Sequence, residues 1–143
     1  MNDYVLDASV AAKWFLSSEG EELKSEALAV LRKYANGRLR LVVPDLFWPE
    51  IGNILWKASR VGRMSKSSAL QAIHVLKEQS IPTYPSFPLL QDAFTISANF
   101  DRTVYDSIYI ALAVELNITL LTADERLANA LAARFPIRWL GLV

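Results

Sequence analysis

The 143-residue chain contains no cysteine and a single histidine, His74. Without thiols it forms neither a disulfide framework nor a thiolate metal site, and a cysteine nucleophile is excluded. One imidazole is too few for histidine-pair acid-base catalysis or a multi-histidine zinc site, and leaves none to spare beside a serine-histidine triad. Long hydrophobic runs are also missing. The longest clean apolar run of the second half, Ile108 to Val114, is far below the roughly 20 residues of a membrane helix. The apolar N-terminal run is interrupted by Asp7 and Lys13 and carries no basic leader or small-residue cleavage site, so a cytoplasmic location with no membrane contact is expected. Charge of one sign is absent as well: 15 basic and 15 acidic side chains cancel, so the total does not announce nucleic-acid binding.

What the chain does have is 52% hydrophobic content, enough for one ordinary domain to bury its core without staples. No repeat, low-complexity tract or linker divides it, and residues 1–143 are expected to form a single domain. Short β-like runs alternate with helical stretches: Tyr4–Leu6, Leu41–Val43, Ile81–Tyr84, Ile118–Leu121 and Ile137–Trp139. Helical spacing runs through Glu21–Tyr34, with Asn36-Gly37 closing the end, and through about Glu50–Arg60, Ser65–Gln79, Leu89–Phe100, Asp106–Asn117 and Glu125–Arg134. Such alternation predicts an α/β fold, a mostly parallel sheet of about five strands covered by helices. Pro49 fits the first turn of the helix carrying Glu50, where its missing amide hydrogen costs nothing.

Four acids stand at the starts of helices. Asp7 directly follows the first strand, at the carboxyl edge where open parallel sheets bind ligands. Asp124 follows the fourth strand through Thr122-Ala123, and Asp106 opens an otherwise apolar helix. Each is equally readable as a helix N-cap when taken singly. Glu50 is harder to read that way, because it lies among Phe47, Trp48, Ile51, Ile54, Leu55 and Trp56, with Asn53 one turn later on the same face. A glutamate in such surroundings needs a partner. Converged carboxylates would protonate or splay apart unless a cation neutralised them. Oxygen-only ligation selects Mg²⁺ or Mn²⁺ over zinc, and such an ion suits phosphodiester hydrolysis.

In this order and at these distances, Val5-Leu6-Asp7-Ala8-Ser9, Pro44 to Asn53, Tyr105 to Ala111 and Leu121-Thr122-Ala123-Asp124 resemble the PIN-domain ribonucleases, specifically the VapC toxins of toxin-antitoxin pairs. The resemblance covers nearly the whole chain. It implies a PIN-like three-layer fold and a ribonuclease using Mg²⁺ or Mn²⁺, with Asp7, Glu50, Asp106 and Asp124 as catalytic metal ligands. It further implies that Ser9, Asn53 and Thr122 orient those acids and bound waters, that the protein forms a homodimer, and that a small antitoxin covers the site.

From Ile51 to Lys77 the chain has no acid, while Lys57, Arg60, Arg63, Lys66 and Lys77 fall there. By spacing alone this is a solvated helical face. Under the resemblance, Lys57, Arg60 and Arg63, with Lys13 from the first helix, become candidate contacts to RNA phosphates. Trp14, Phe15 and Leu16 are either core or an apolar patch for a partner. His74 is expected to be structural or exposed, on a helix offering it no neighbouring acid. A receiver domain would place an aspartate after the third strand, where Thr83-Tyr84-Pro85-Ser86 stands. An aspartyl phosphatase would want an acid at position 9, which is serine. The remaining alternative is a catalytically silent module of the same fold that binds RNA or an antitoxin.

Overall fold

The computed structural model describes residues 2–143. Five strands form one parallel sheet: β1 (Asn2–Leu6), β2 (Leu39–Pro44), β3 (Thr83–Tyr84), β4 (Thr119–Thr122) and β5 (Ile137–Trp139), in the order β3-β2-β1-β4-β5. Seven helices flank it: α1 (Ala8–Phe15), α2 (Lys24–Ala35), α3 (Phe47–Arg60), α4 (Lys66–Glu78), α5 (Leu90–Phe100), α6 (Val104–Leu116) and α7 (Glu125–Leu131). The expected fold class is the one observed.

Helix-covered parallel strands are buried on both sides, which is why β1 and β4 carry continuous apolar runs. Val5, Leu6, Leu120 and Leu121 have no exposed surface. In the ladder Tyr4 stands opposite Leu41 on one side and Thr119 on the other, and Leu6 stands opposite Leu121. The chain builds outwards from β1 to β2 and β3, then crosses back to add β4 and β5 on the other side of β1. The carboxyl end of β1 is therefore the topological switch point, and the next residue is Asp7.

Several element ends differ from the sequence expectation. Helix α2 starts at Lys24, not Glu21, because Leu23 adopts a left-handed conformation (φ 59°) and the Glu21 side chain is engaged by Lys13 and Arg63. Its other end closes as expected: Gly37 has φ 72°, its amide donates to the Tyr34 carbonyl, and the Arg38 amide reaches the Lys33 carbonyl at 2.8 Å. Helix α3 begins three residues before Glu50, with Pro49 in its first turn as predicted. Helix α6 begins at Val104, capped by Thr103, whose hydroxyl accepts the Asp106 amide at 3.1 Å. Strand β3 is limited to Thr83–Tyr84, and α7 stops at Leu131.

Trp14 belongs to the core: it is buried and its Nε1 donates to the Ala27 carbonyl at 2.8 Å. Leu16 is buried too, and Phe15 packs partly buried against the core, so these three do not form an exposed patch. His74 is exposed, but the expectation that its helix offers no acid is corrected by Glu78, whose Oε1 lies 2.9 Å from Nε2 one turn later.

Candidate active site

Asp7 occupies the N-cap position of α1 in extended conformation, yet its carboxylate makes no capping hydrogen bond. It is held from another direction. Thr122 Oγ1 donates to Asp7 Oδ2 at 2.7 Å, and Ser9 Oγ donates to the same oxygen at 3.0 Å. Ser9 Oγ in turn accepts the Ala123 amide at 3.1 Å, and Thr122 Oγ1 accepts the Asp124 amide at 3.0 Å. This short network stitches the end of β1 to the end of β4 and leaves Asp7 Oδ1 outside it. Thr122 is completely buried, so its hydroxyl has to be satisfied within the protein. Asp124 is exposed and does cap its helix, its Oδ1 accepting the Leu127 amide at 3.1 Å.

Glu50 projects from α3 and is half-buried, with Oε1 buried and lacking a hydrogen-bond partner among the described residues. An orphaned carboxylate oxygen is costly in a folded protein. Burial raises the pKa of Glu50, and the charges of Asp7 and Asp106 raise it further, against the lowering effect of the Tyr109 hydroxyl. Asp7 is likewise raised, chiefly by burial and also by Asp106, although Thr122 and Ser9 oppose the shift. Asp106 is raised by burial and by Asp124, with the Arg102 guanidinium pulling the other way. Asp7, Glu50 and Asp106 thus feel like charge from one another, and Asp124 adds its charge at Asp106. Asn53 lies on α3 one turn beyond Glu50, on the exposed side.

Among the described residues, no three acid or histidine side chains close into a compact cage for an ion. The donor set is nonetheless one a hard divalent cation fits: carboxylate oxygens only, mutually repelling, one of them buried without a partner. Mg²⁺ in particular keeps several waters and needs few direct protein ligands. A fifth acid near the sheet edge, Asp45, is otherwise engaged, accepting the Ser86 amide at 3.2 Å and the Ser86 hydroxyl.

The basic candidates divide into two pairs. Lys13 donates to Glu21 at 2.9 Å and to the Glu22 carbonyl at 2.7 Å, and Arg63 donates to the other Glu21 oxygen at 3.0 Å. Burial would raise the Glu21 pKa, but these two cations hold it below the usual carboxylate range. Lys57 and Arg60 are exposed on α3, and the Arg60 guanidinium lies 5.1 Å from the centre of the Trp56 ring.

Sequence reasoning missed three residues here. Thr103 caps the helix of Asp106, and Arg102 stands beside Asp106 with its Nη2 donating to the Arg126 carbonyl at 3.3 Å. Tyr109 is buried, with Glu50, Asp7 and the Ala8 amide as the polar groups around its hydroxyl. Its signal was available: it follows Asp106 by three residues on an otherwise apolar helix and so shares its face.

Asp7 at the switch point of a five-stranded parallel sheet, with Glu50 and Asp106 near enough for their charges to act on one another and Asp124 near enough to act on Asp106, gives this α/β protein an acidic edge. The chain belongs to the PIN domain family, whose model matches residues 4–131. It is 31% identical over 134 residues to Ribonuclease VapC3 of Pyrobaculum aerophilum, a match covering 92% of this chain and 94% of that protein. It is 33% identical over 118 residues to VapC ribonuclease Mb0985 of Mycobacterium bovis, covering 79% and 91% of the two chains. In fold it is similar to a chain of a toxin-antitoxin complex from Klebsiella pneumoniae, with a TM-score of 0.66, 12% identity, and 96% and 97% of the two chains covered.

Proposed function

We propose that this protein is a Mg²⁺- or Mn²⁺-dependent endoribonuclease, acting as one PIN-like domain over residues 1–143 and serving as the toxin of a toxin-antitoxin pair. The observation that carries the reading is the field of like charge linking Asp7, Glu50, Asp106 and Asp124, with Glu50 Oε1 buried and unpartnered. Relatives named ribonucleases at 31% and 33% identity support the reaction class. When bound, a divalent ion would polarise the phosphodiester and lower the pKa of an attacking water. In this reading the four acids hold the ion directly or through its waters. Ser9 and Thr122 fix Asp7, Asn53 orients solvent beside Glu50, and Lys57 and Arg60 bind the RNA backbone. Lys13 and Arg63 become available to phosphate only by leaving Glu21.

The same reading places the protein in the cytoplasm with a small antitoxin as its partner. Exposed Phe87, Leu90 and Phe94 supply an apolar face on which a second copy would sit in a homodimer. The decisive assay incubates purified protein with structured RNA in the presence of Mg²⁺, Mn²⁺ or EDTA, beside an Asp7→Asn variant. Internal cleavage that requires both the metal and Asp7 is expected. The same RNA pattern in every lane would leave the silent-module alternative standing.

A further inference from the structure

Tyr109 has a position that the acidic quartet alone does not explain. Its side chain is buried, yet the hydroxyl oxygen and Glu50 Oε1 are two of the three buried side-chain polar atoms left without a standard hydrogen bond among the described residues. Unsatisfied buried polar atoms are rare and costly, and here the Tyr109 hydroxyl and the Glu50 carboxylate are close enough for each to act on the other. The phenol is rooted in α6, three residues after Asp106, and reaches the point where α3 presents Glu50 and where α1 begins with Ala8. Asp7 and Glu50 both act on its hydroxyl, and Asp106 lies one turn earlier on the same helix. A phenylalanine would fill the same volume, so packing alone does not call for the oxygen.

We propose that Tyr109 is a positioning residue: its hydroxyl, buried beside Glu50 Oε1, donates to that carboxylate and fixes the orientation in which Glu50 joins the acidic cluster. This rests on the reading of the cluster as a divalent-cation site. Groups that orient a metal ligand change metal affinity by about 10- to 100-fold when removed. The test measures Mn²⁺ binding directly, from the paramagnetic resonance signal of free ion, for wild type, Tyr109→Phe, Glu50→Gln and the double variant, with folding checked by circular dichroism. Tyr109→Phe is expected to weaken Mn²⁺ binding about tenfold in the wild-type background and to change nothing further in the Glu50→Gln background. Unchanged affinity in Tyr109→Phe, or an equal loss in both backgrounds, would overturn the assignment. Should Tyr109→Phe fail to fold while the double variant folds, the hydroxyl serves the Glu50 charge and the assignment holds; should neither fold, it serves the core and the assignment falls. RNA cleavage by wild type is scored separately: coupling without cleavage defeats the ribonuclease reading alone, and cleavage without coupling defeats this inference alone.

Discussion

At the scale of single residues, the site is organised by competition between burial and hydrogen bonding. Asp7 receives two hydroxyl donors that favour its charge, yet burial still dominates and its pKa is raised. Glu50 and Asp106 are raised by the same cause, helped by neighbouring carboxylates. For such groups the folded protein binds the proton more tightly than the unfolded chain. Their contribution to stability is most favourable below the ordinary carboxylate range and is lost as pH rises towards the raised folded values, so the metal-free protein loses stability as pH climbs out of the ordinary carboxylate range. Asp7→Asn should therefore make the metal-free protein more stable at pH 7 while lowering RNA cleavage by at least about 100-fold. A gain of about 1 kcal/mol would appear as a melting temperature higher by about 3–5 °C in calorimetry. Metal binding competes with these protons, so cleavage in the proposed mechanism should rise with pH through a range above that of an ordinary carboxylate.

At the scale of elements, α3 carries Glu50, and Phe47 in its first turn anchors it without any exposed surface. Phe47→Ala should cost about 3–5 kcal/mol in urea unfolding and impair cleavage by loosening the helix under Glu50. Ser65→Ala, which removes the cap of α4 accepting the Ser68 amide at 3.0 Å, should cost about 1 kcal/mol and leave cleavage unchanged. Equal effects of the two substitutions on cleavage would show that α3 has no special part in the site. The helices were legible because apolar residues recur at helical spacing, and β1, β2 and β4 because parallel strands buried on both sides read as continuous apolar runs; β3 and β5 were legible only as short β-like runs between helices. Their ends were less legible because distant contacts set them. Helix α2 starts late where Glu21 pairs with Lys13 and Arg63, and α6 starts early where Thr103 supplies its cap. Asp7 and Asp124 read identically in sequence as caps, and only the fold separates them: Asp124 caps its helix and Asp7 does not. For Tyr109 the sequence offered only its place one turn after Asp106; the neighbouring Glu50 and Ala8 come from α3 and α1, far earlier in the chain.

For the molecule as a whole, the even charge balance means that affinity for RNA must come from distribution and not from net charge. The acid-free stretch from Ile51 to Lys77 supplies that asymmetry, but Glu21 neutralises Arg63. Lys57 and Arg60 are the exposed cations of this stretch carried by the helix of Glu50 itself. Replacing both with alanine should weaken RNA binding and flatten its dependence on log salt by about 1 for each side chain that had neutralised a phosphate, as read from filter binding at several salt concentrations. An unchanged slope would remove these two residues from the proposed RNA path.

In the proposed function Asp7, Glu50, Asp106 and Asp124 share one divalent ion. Anomalous scattering from crystals grown with Mn²⁺ locates such an ion. A strong manganese peak is expected among those four carboxylates, and none there in crystals of the Asp7→Asn variant. A peak elsewhere, or none at saturating Mn²⁺, would contradict it.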